Sequence, residues 1–273
     1  MKTATLKYPS ADGKTAIRAL LWEPDAAEQP EGSETPEVAI FGCSGHRSGR
    51  ARNVGACRAL RPFREFLVES GFVVCANDHV GHGESVSDAQ DLGHMPARDG
   101  AEVLVRDVHA LRGIMQARFG SEVPYVMFGH SMGSFITRKY ISEHGEGLAA
   151  AVLCGTGQQA AALSMAGNAL ANALARLRGE RYKSGLLHSM ADGAYSKAVK
   201  NPRTDFDWLS TDPAQVDAYI NDSECGQMFT VGGYATLTAL TGEVVRGGKC
   251  VQGPQGFAAA LYRGRGRPVG DCG

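Results

Sequence analysis

Residues 126–135 read VMFGHSMGSF: an apolar run, then Gly129-His130-Ser131-Met132-Gly133, then Ser134 and Phe135 opening a helical period. As five letters, G-x-S-x-G is a weak signal. It gains weight when a strand ends directly before it and a helix starts directly after it, because that sharp turn strains the serine backbone and its flanking glycines remove side-chain clashes. Both conditions hold here. Pro124 and YVMFG predict a strand, and Ser134 to Glu143 a helix. In that setting Ser131 is a candidate nucleophile held at a helix N-terminus, where developing negative charge is favoured. The Met132 backbone N–H is a candidate oxyanion donor. Gly129, His130 and Gly133 complete the elbow, whose alternative is a glycine-rich turn with an incidental serine.

Outward from this turn the chain alternates strands and helices. Thr3 to Tyr8 and Thr15 to Trp22 flank SADGK, in which Asp12-Gly13 is a hairpin signal, so two antiparallel strands are expected first. Glu37 to Phe41 reads as a short buried strand, Phe63 to Ser70 has helical spacing, and FVVCAND from Phe72 suits a strand buried on both faces. Leu104, Val108, Leu111, Met115 and Phe119 recur at steps of three and four, marking one face of a helix that ends at Gly120. AAVLCG from Ala150 is the next strand. This order predicts an α/β fold with a mostly parallel, doubly wound sheet. After Gly155 the text becomes Ala-rich and helical as far as about Tyr234, which predicts a helical insertion over the carboxyl ends of the strands. The expected organisation is a core over 1–155, a helical cap over 156–235, and a shortened remainder of the core over 236–273.

A second motif, NDHVGHGES at Asn77 to Ser85, follows the strand at Phe72. Together with Gly-His-Ser-Met-Gly it resembles the α/β-hydrolase family, and within it the monoacylglycerol lipase and lysophospholipase branch, also described as serine aminopeptidase-like. NPRTDFDWLS at Asn201 to Ser210 and CGQMFTVGG at Cys225 to Gly233 resemble the cap region of bacterial members. The resemblance implies Ser131 as nucleophile, a fatty-acyl ester as substrate, and an acyl-enzyme as intermediate. It also implies an oxyanion loop after the strand ending at Phe41, where the second donor would be Cys43. His79 and His82 are expected to shape their loop, since bases in this fold follow the serine in chain order.

The resemblance lapses in two places. The family's acid belongs to a Gly-x-x-Asp-Pro-Val-Gly segment, and GRGRPVGDCG carries Arg267 there, with Asp271 four residues out of register. The expected histidine would lie beyond Gly273, and only His144 and His188 follow Ser131. The other lapse is at the oxyanion loop, where the family has His-Gly and a small run of residues and this chain reads FGCSGHRSGRARNVGACRALRP. Both departures are basic and free of Asp and Glu: Phe41 to Pro62 and Val244 to Gly270 hold ten of the 28 Lys and Arg residues. The favoured reading is out-of-frame translation of GC-rich coding sequence, which sequencing the coding DNA tests; a basic patch for phosphate-bearing ligands is the alternative. Two functions therefore stay open, an ester hydrolase and a catalytically silent relative that at most binds an apolar ligand.

Composition narrows the partners. The chain has 273 residues, 43% of them hydrophobic, and a formal net charge of −1, which gives no general argument for nucleic acid. No apolar run reaches the roughly 20 residues that span a bilayer, and MKTATLKYPSADG lacks a signal-peptide core, so a cytoplasmic protein with no integral membrane segment is expected, contact with lipid surfaces being left open. Seven scattered cysteines have no metal-ligand spacing and are expected reduced. No metal or organic cofactor is expected, the partner being a small acyl ester; oligomeric state is not readable.

Overall fold

The computed structural model describes residues 1–25, 38–43, 61–157, 159–191, 195–196, 199–222, 225–246 and 258–262, with backbone alone for 38–43 and 258–262. A seven-stranded sheet forms from β1 (Lys2–Pro9), β2 (Ala16–Glu23), β3 (Val38–Cys43), β4 (Val73–Asp78), β5 (Tyr125–His130), β6 (Ala150–Cys154) and β7 (Ala258–Tyr262). Its spatial order is β1-β2-β4-β3-β5-β6-β7. The β1–β2 and β2–β4 pairs are antiparallel, and all others are parallel. The crossovers are α1 (Arg61–Glu69), α2 (Gly100–Phe119) and α3 (Met132–His144). Between β6 and β7 lie α4 (Ala161–Arg178), α5 (Gly185–Ala191), α6 (Pro213–Ile220) and α7 (Val231–Arg246).

Period-two alternation buries the sheet on both faces. Ile17, Ala19, Leu21, Val73, Cys75, Tyr125 and Met127 point to one side, where they meet Leu104, Val108, Leu111 and Met115 of α2 and Ile136 and Tyr140 of α3. Leu20, Trp22, Val74, Ala76 and Phe128 point to the other, against Val68 of α1. The helical face expected from the spacing of α2 is the face that is buried. A third, separate cluster joins Ala171 of α4, Leu187 of α5 and Val231, Tyr234 and Ala235 of α7.

Two elements escaped the sequence reading. The helix α7 runs uninterrupted from Val231 to Arg246, beyond the Tyr234 at which helical text was expected to fade. The strand β7 lies inside the second basic tract and pairs in parallel with β6, Ala258 opposite Ala150 and Tyr262 opposite Cys154. Its sequence, AAALY, has neither alternation nor β-branched residues, and a run of alanines carries no strand signal of its own.

The hairpin is pinned to α2 by one carboxylate. Asp107 is 1% exposed; it accepts from the Ser10 hydroxyl at 2.8 Å and from the Ala11 N–H at 2.7 Å, while its carbonyl accepts from the Tyr8 hydroxyl at 2.9 Å. Burial raises its pKa to about 6, against these hydrogen bonds, which lower it. A carboxyl whose folded pKa lies above its unfolded value of about 3.9 stabilises the fold below that value and loses the contribution as pH rises to about 6. Asp107→Asn keeps an acceptor for Ala11 and supplies a donor for Ser10. The expected result is a Tm difference, variant minus wild type, that grows in the variant's favour between pH 4 and 7, measured by thermal melts across that range.

Candidate active site

The strand β5 ends at His130, and the chain turns at once into α3. Ser131 sits at the turn with φ 53° and ψ −122°, a conformation that costs an L-residue about 1–3 kcal/mol and persists only where its surroundings enforce it. Four contacts do so. The Ser131 N–H donates to the Cys154 carbonyl at 3.0 Å, tying the elbow to β6. The Ser134 N–H and hydroxyl donate to the Ser131 carbonyl at 2.9 and 2.6 Å. Gly129 lets α3 close on β5: a Cβ there would lie 2.5 Å from the Gly133 carbonyl oxygen and 2.6 Å from the Thr137 hydroxyl. The Arg138 guanidinium donates to the Gly157 carbonyl at 3.0 Å, joining α3 to the segment after β6. Ser134 was not singled out from the sequence, although a serine three residues into a helix is a common local acceptor–donor partner.

The resulting arrangement exposes Ser131 and its neighbour His130 while burying Met132 and Gly133. Among the described residues, the Ser131 hydroxyl and the Met132 N–H make no hydrogen bond. The register of β3 on β5 sets Gly42 opposite Gly129 and Cys43 opposite His130. Cys43 therefore ends its strand beside the residue that precedes the serine, about one interstrand spacing of 4.8 Å away. A carbonyl carbon at the Ser131 hydroxyl could thus present its oxygen towards the start of α3, where the helix dipole favours negative charge.

Among the described residues no hydrogen bond joins a histidine ring to the Ser131 hydroxyl, and the histidines weighed as a base make other contacts. His144 is thirteen residues along α3, about 20 Å at the helical rise, and its ring stacks on His109 with centroids 4.2 Å apart. His188, in α5, meets the Tyr234 hydroxyl through Nδ1 at 3.1 Å. His79 and His82 are 0% and 2% exposed and belong to the loop after β4. Burial, and secondarily the neighbouring His82, pushes His79 down to about 3, so its imidazole is neutral at physiological pH. Burial lowers His82 as well, against a contact of its Nδ1 with the Val80 carbonyl at 3.0 Å. Among the described residues the buried His79 Nε2 and Asn77 Oδ1 have no hydrogen-bond partner, and Asn77 lies opposite Gly42 of β3. Arg267 and Asp271 lie outside the described residues.

The rest of NDHVGHGES holds that loop to the hairpin. The Ser85 hydroxyl accepts from the Arg18 N–H at 2.9 Å, and the Arg18 guanidinium pairs with Asp78 at 3.6 Å and Glu84 at 2.9 Å. A cavity of about 570 Å³ opens on the far side of the loop, between Lys14, Val86, His94 and Arg106, and contains no residue of the elbow. Its acids are spent internally: Asp91 pairs with Arg181 at 2.6 Å, Asp12 caps the hairpin turn, and Glu102 binds Lys139. The elbow, with its strained and exposed serine, is the better candidate site. No group of three His, Cys, Asp or Glu that could hold a metal is found among the described residues. No helix among them is long and apolar enough to cross a membrane.

A parallel sheet in this strand order, entered by an antiparallel hairpin and carrying a strained serine between β5 and α3, defines an α/β-hydrolase. The family model described as serine aminopeptidase, S33, matches residues 53–257, most of the chain, and the protein belongs to that family. No curated protein matches it. Among solved structures the chain is similar to a thermostable carboxyl esterase from Bacillus coagulans crystallised with glycerol, at 24% identity over 97% of this chain and 91% of the other, with a TM-score of 0.73. A lipase in an open form is similar at 22% identity, over 96% and 79% of the two chains, with a TM-score of 0.72. The monoglyceride lipase of Saccharomyces cerevisiae, bound to a substrate analogue, shares 13% identity over 95% and 85%, with a TM-score of 0.62. At such identities the likeness is one of fold.

Proposed function

We propose that the protein hydrolyses carboxylic esters of fatty acids, such as monoacylglycerols or lysophospholipids, through an acyl-enzyme on Ser131. The observation that carries the reading is the backbone of Ser131, held at positive φ between strand and helix, a strain that has a purpose only if the hydroxyl must be presented there. In this reading the hydroxyl oxygen attacks the acyl carbonyl, and the oxyanion is held by the N–H groups of Met132 and Cys43. Collapse expels the alcohol and leaves the acyl group on Ser131, and water then releases the acid. The core is assigned to 1–155 and 236–273. Residues 156–235 form the cap, whose helices α4 and α5 share an apolar cluster with α7, and the acyl chain lies beneath it.

A second reading has one observation in its favour: among the described residues no imidazole is hydrogen-bonded to the Ser131 hydroxyl. Without a base the same fold would be silent and at most bind an apolar ligand. A fluorophosphonate probe and a p-nitrophenyl ester separate the two. The expected result is labelling and turnover in the wild type, with labelling lost in Ser131→Ala and hydrolysis reduced by about 10³-fold or more. A folded wild type that neither labels nor turns over establishes the silent reading.

A further inference from the structure

Lys139 lies two turns along α3 from Ser131 and is 7% exposed. Its ammonium meets three carboxylates at 2.6 Å each: Glu102 of α2, Glu143 of α3 and Glu243 of α7. An ammonium has three N–H donors, and here each is used once. The pairs raise the Lys139 pKa, although burial alone would lower it. The carboxylates are each a third or more exposed, so each single pair is weakened by solvent. What is unusual is their convergence. A buried cation joins the helix that carries the strained serine to one helix of the core and to α7, and α7 packs against α4 and α5 in its own apolar cluster.

We infer that Lys139 is a positioning residue that locks the rotation and height of α3 against α7, so that the seating of the α4–α5–α7 unit is felt at Ser131. The argument rests on the reading of Ser131 as nucleophile. The serine keeps its strained backbone only while α3 stays pressed on β5, and the α3 residues that do this, Gly133 and Thr137 facing Gly129 of β5 and Ser134 on the Ser131 carbonyl, lie between Ser131 and Lys139. A helix is stiff over two turns, so a tilt permitted at Lys139 displaces the Met132 N–H as well. Neutralising Lys139 would also leave three carboxylates facing one another without a counterion.

The test uses the full-length chain with Lys139→Met and the milder Glu243→Gln, which keeps an acceptor but removes the charge on the α7 arm. Alkyl fluorophosphonate inactivation is resolved into probe affinity and maximal rate. The expected result is a maximal rate lowered at least tenfold by Lys139→Met and about threefold by Glu243→Gln, with affinity within twofold of wild type. Amide exchange in residues 132–139 should rise in both. If Lys139→Met does not fold, Glu243→Gln carries the test alone. Unchanged rates, or a loss confined to affinity, overturn the assignment. If the wild type itself is not labelled, the hydrolase reading fails, and exchange decides the latch separately: unaltered protection of 132–139 in Glu243→Gln overturns it.

Discussion

Gly129→Ala is expected to remove labelling at Ser131 and to lower Tm by about 10 °C. The new Cβ would sit 2.5 Å from the Gly133 carbonyl oxygen and 2.8 Å from its carbon, both of them backbone. No rotamer relieves such a contact, so α3 must lift off β5. Overpacking against backbone at a site already holding strain costs about 3 kcal/mol or more. In a chain of this size each kcal/mol is worth roughly 2–4 °C. Lifting α3 also releases Ser131 from its positive φ, which the elbow alone enforces, so reactivity falls further than stability predicts. Gly113→Ala is the control, because a Cβ there meets nothing within 4 Å inside α2. It should raise Tm slightly, by helix propensity of about 0.5–1 kcal/mol. Thermal melts and probe labelling of the two variants side by side check the prediction; equal behaviour would show that the elbow tolerates a side chain.

The second large effect lies in the loop after β4. Gly81→Ala places a Cβ 1.9 Å from the His94 carbonyl oxygen, at a residue whose φ is +76°. Gly81 also donates to the Ser85 carbonyl at 2.9 Å and accepts from the Gly93 N–H at 2.8 Å, so it cannot shift without undoing the turn. A loss of several kcal/mol is expected, read as a large fall in the urea midpoint. Because the loop carries Ser85 and Glu84, which hold Arg18 of β2, the damage should reach the hairpin and raise its amide exchange. A midpoint within 0.5 M of wild type would disprove this account. The prediction gives NDHVGHGES a structural meaning: its histidines are buried and neutral, and its glycines make room.

The core was readable because its signals are local. The Asp12-Gly13 turn between β1 and β2, the continuous apolar runs of β4 and β5, the three-and-four spacing of α2, and the strand–elbow–helix junction at Ser131 each lie within a few residues of sequence, and each emerged as expected. The strand β7 was not readable, since AAALY becomes a strand only by pairing with β6. The extent of α7 was hidden for a related reason. Its first turn belongs to the cluster with α4 and α5, whereas Leu240 packs in the main core and Glu243 reaches Lys139, so no single apolar stripe marks it.

By itself, the sequence determined the fold class and the sharp turn at Ser131, because a G-x-S-x-G turn between a buried strand and a helix has few sterically satisfactory geometries, while its two motifs together carried the resemblance to the family. Only the tertiary structure decided what surrounds that serine. It set Cys43 beside His130 by strand register, sent His144 some 20 Å away along α3, buried His79 and His82, and gathered Glu102, Glu143 and Glu243 onto Lys139. Those relations join residues up to 141 positions apart in the chain, and packing, with its demand that a buried cation find its counterions, is what brings them together.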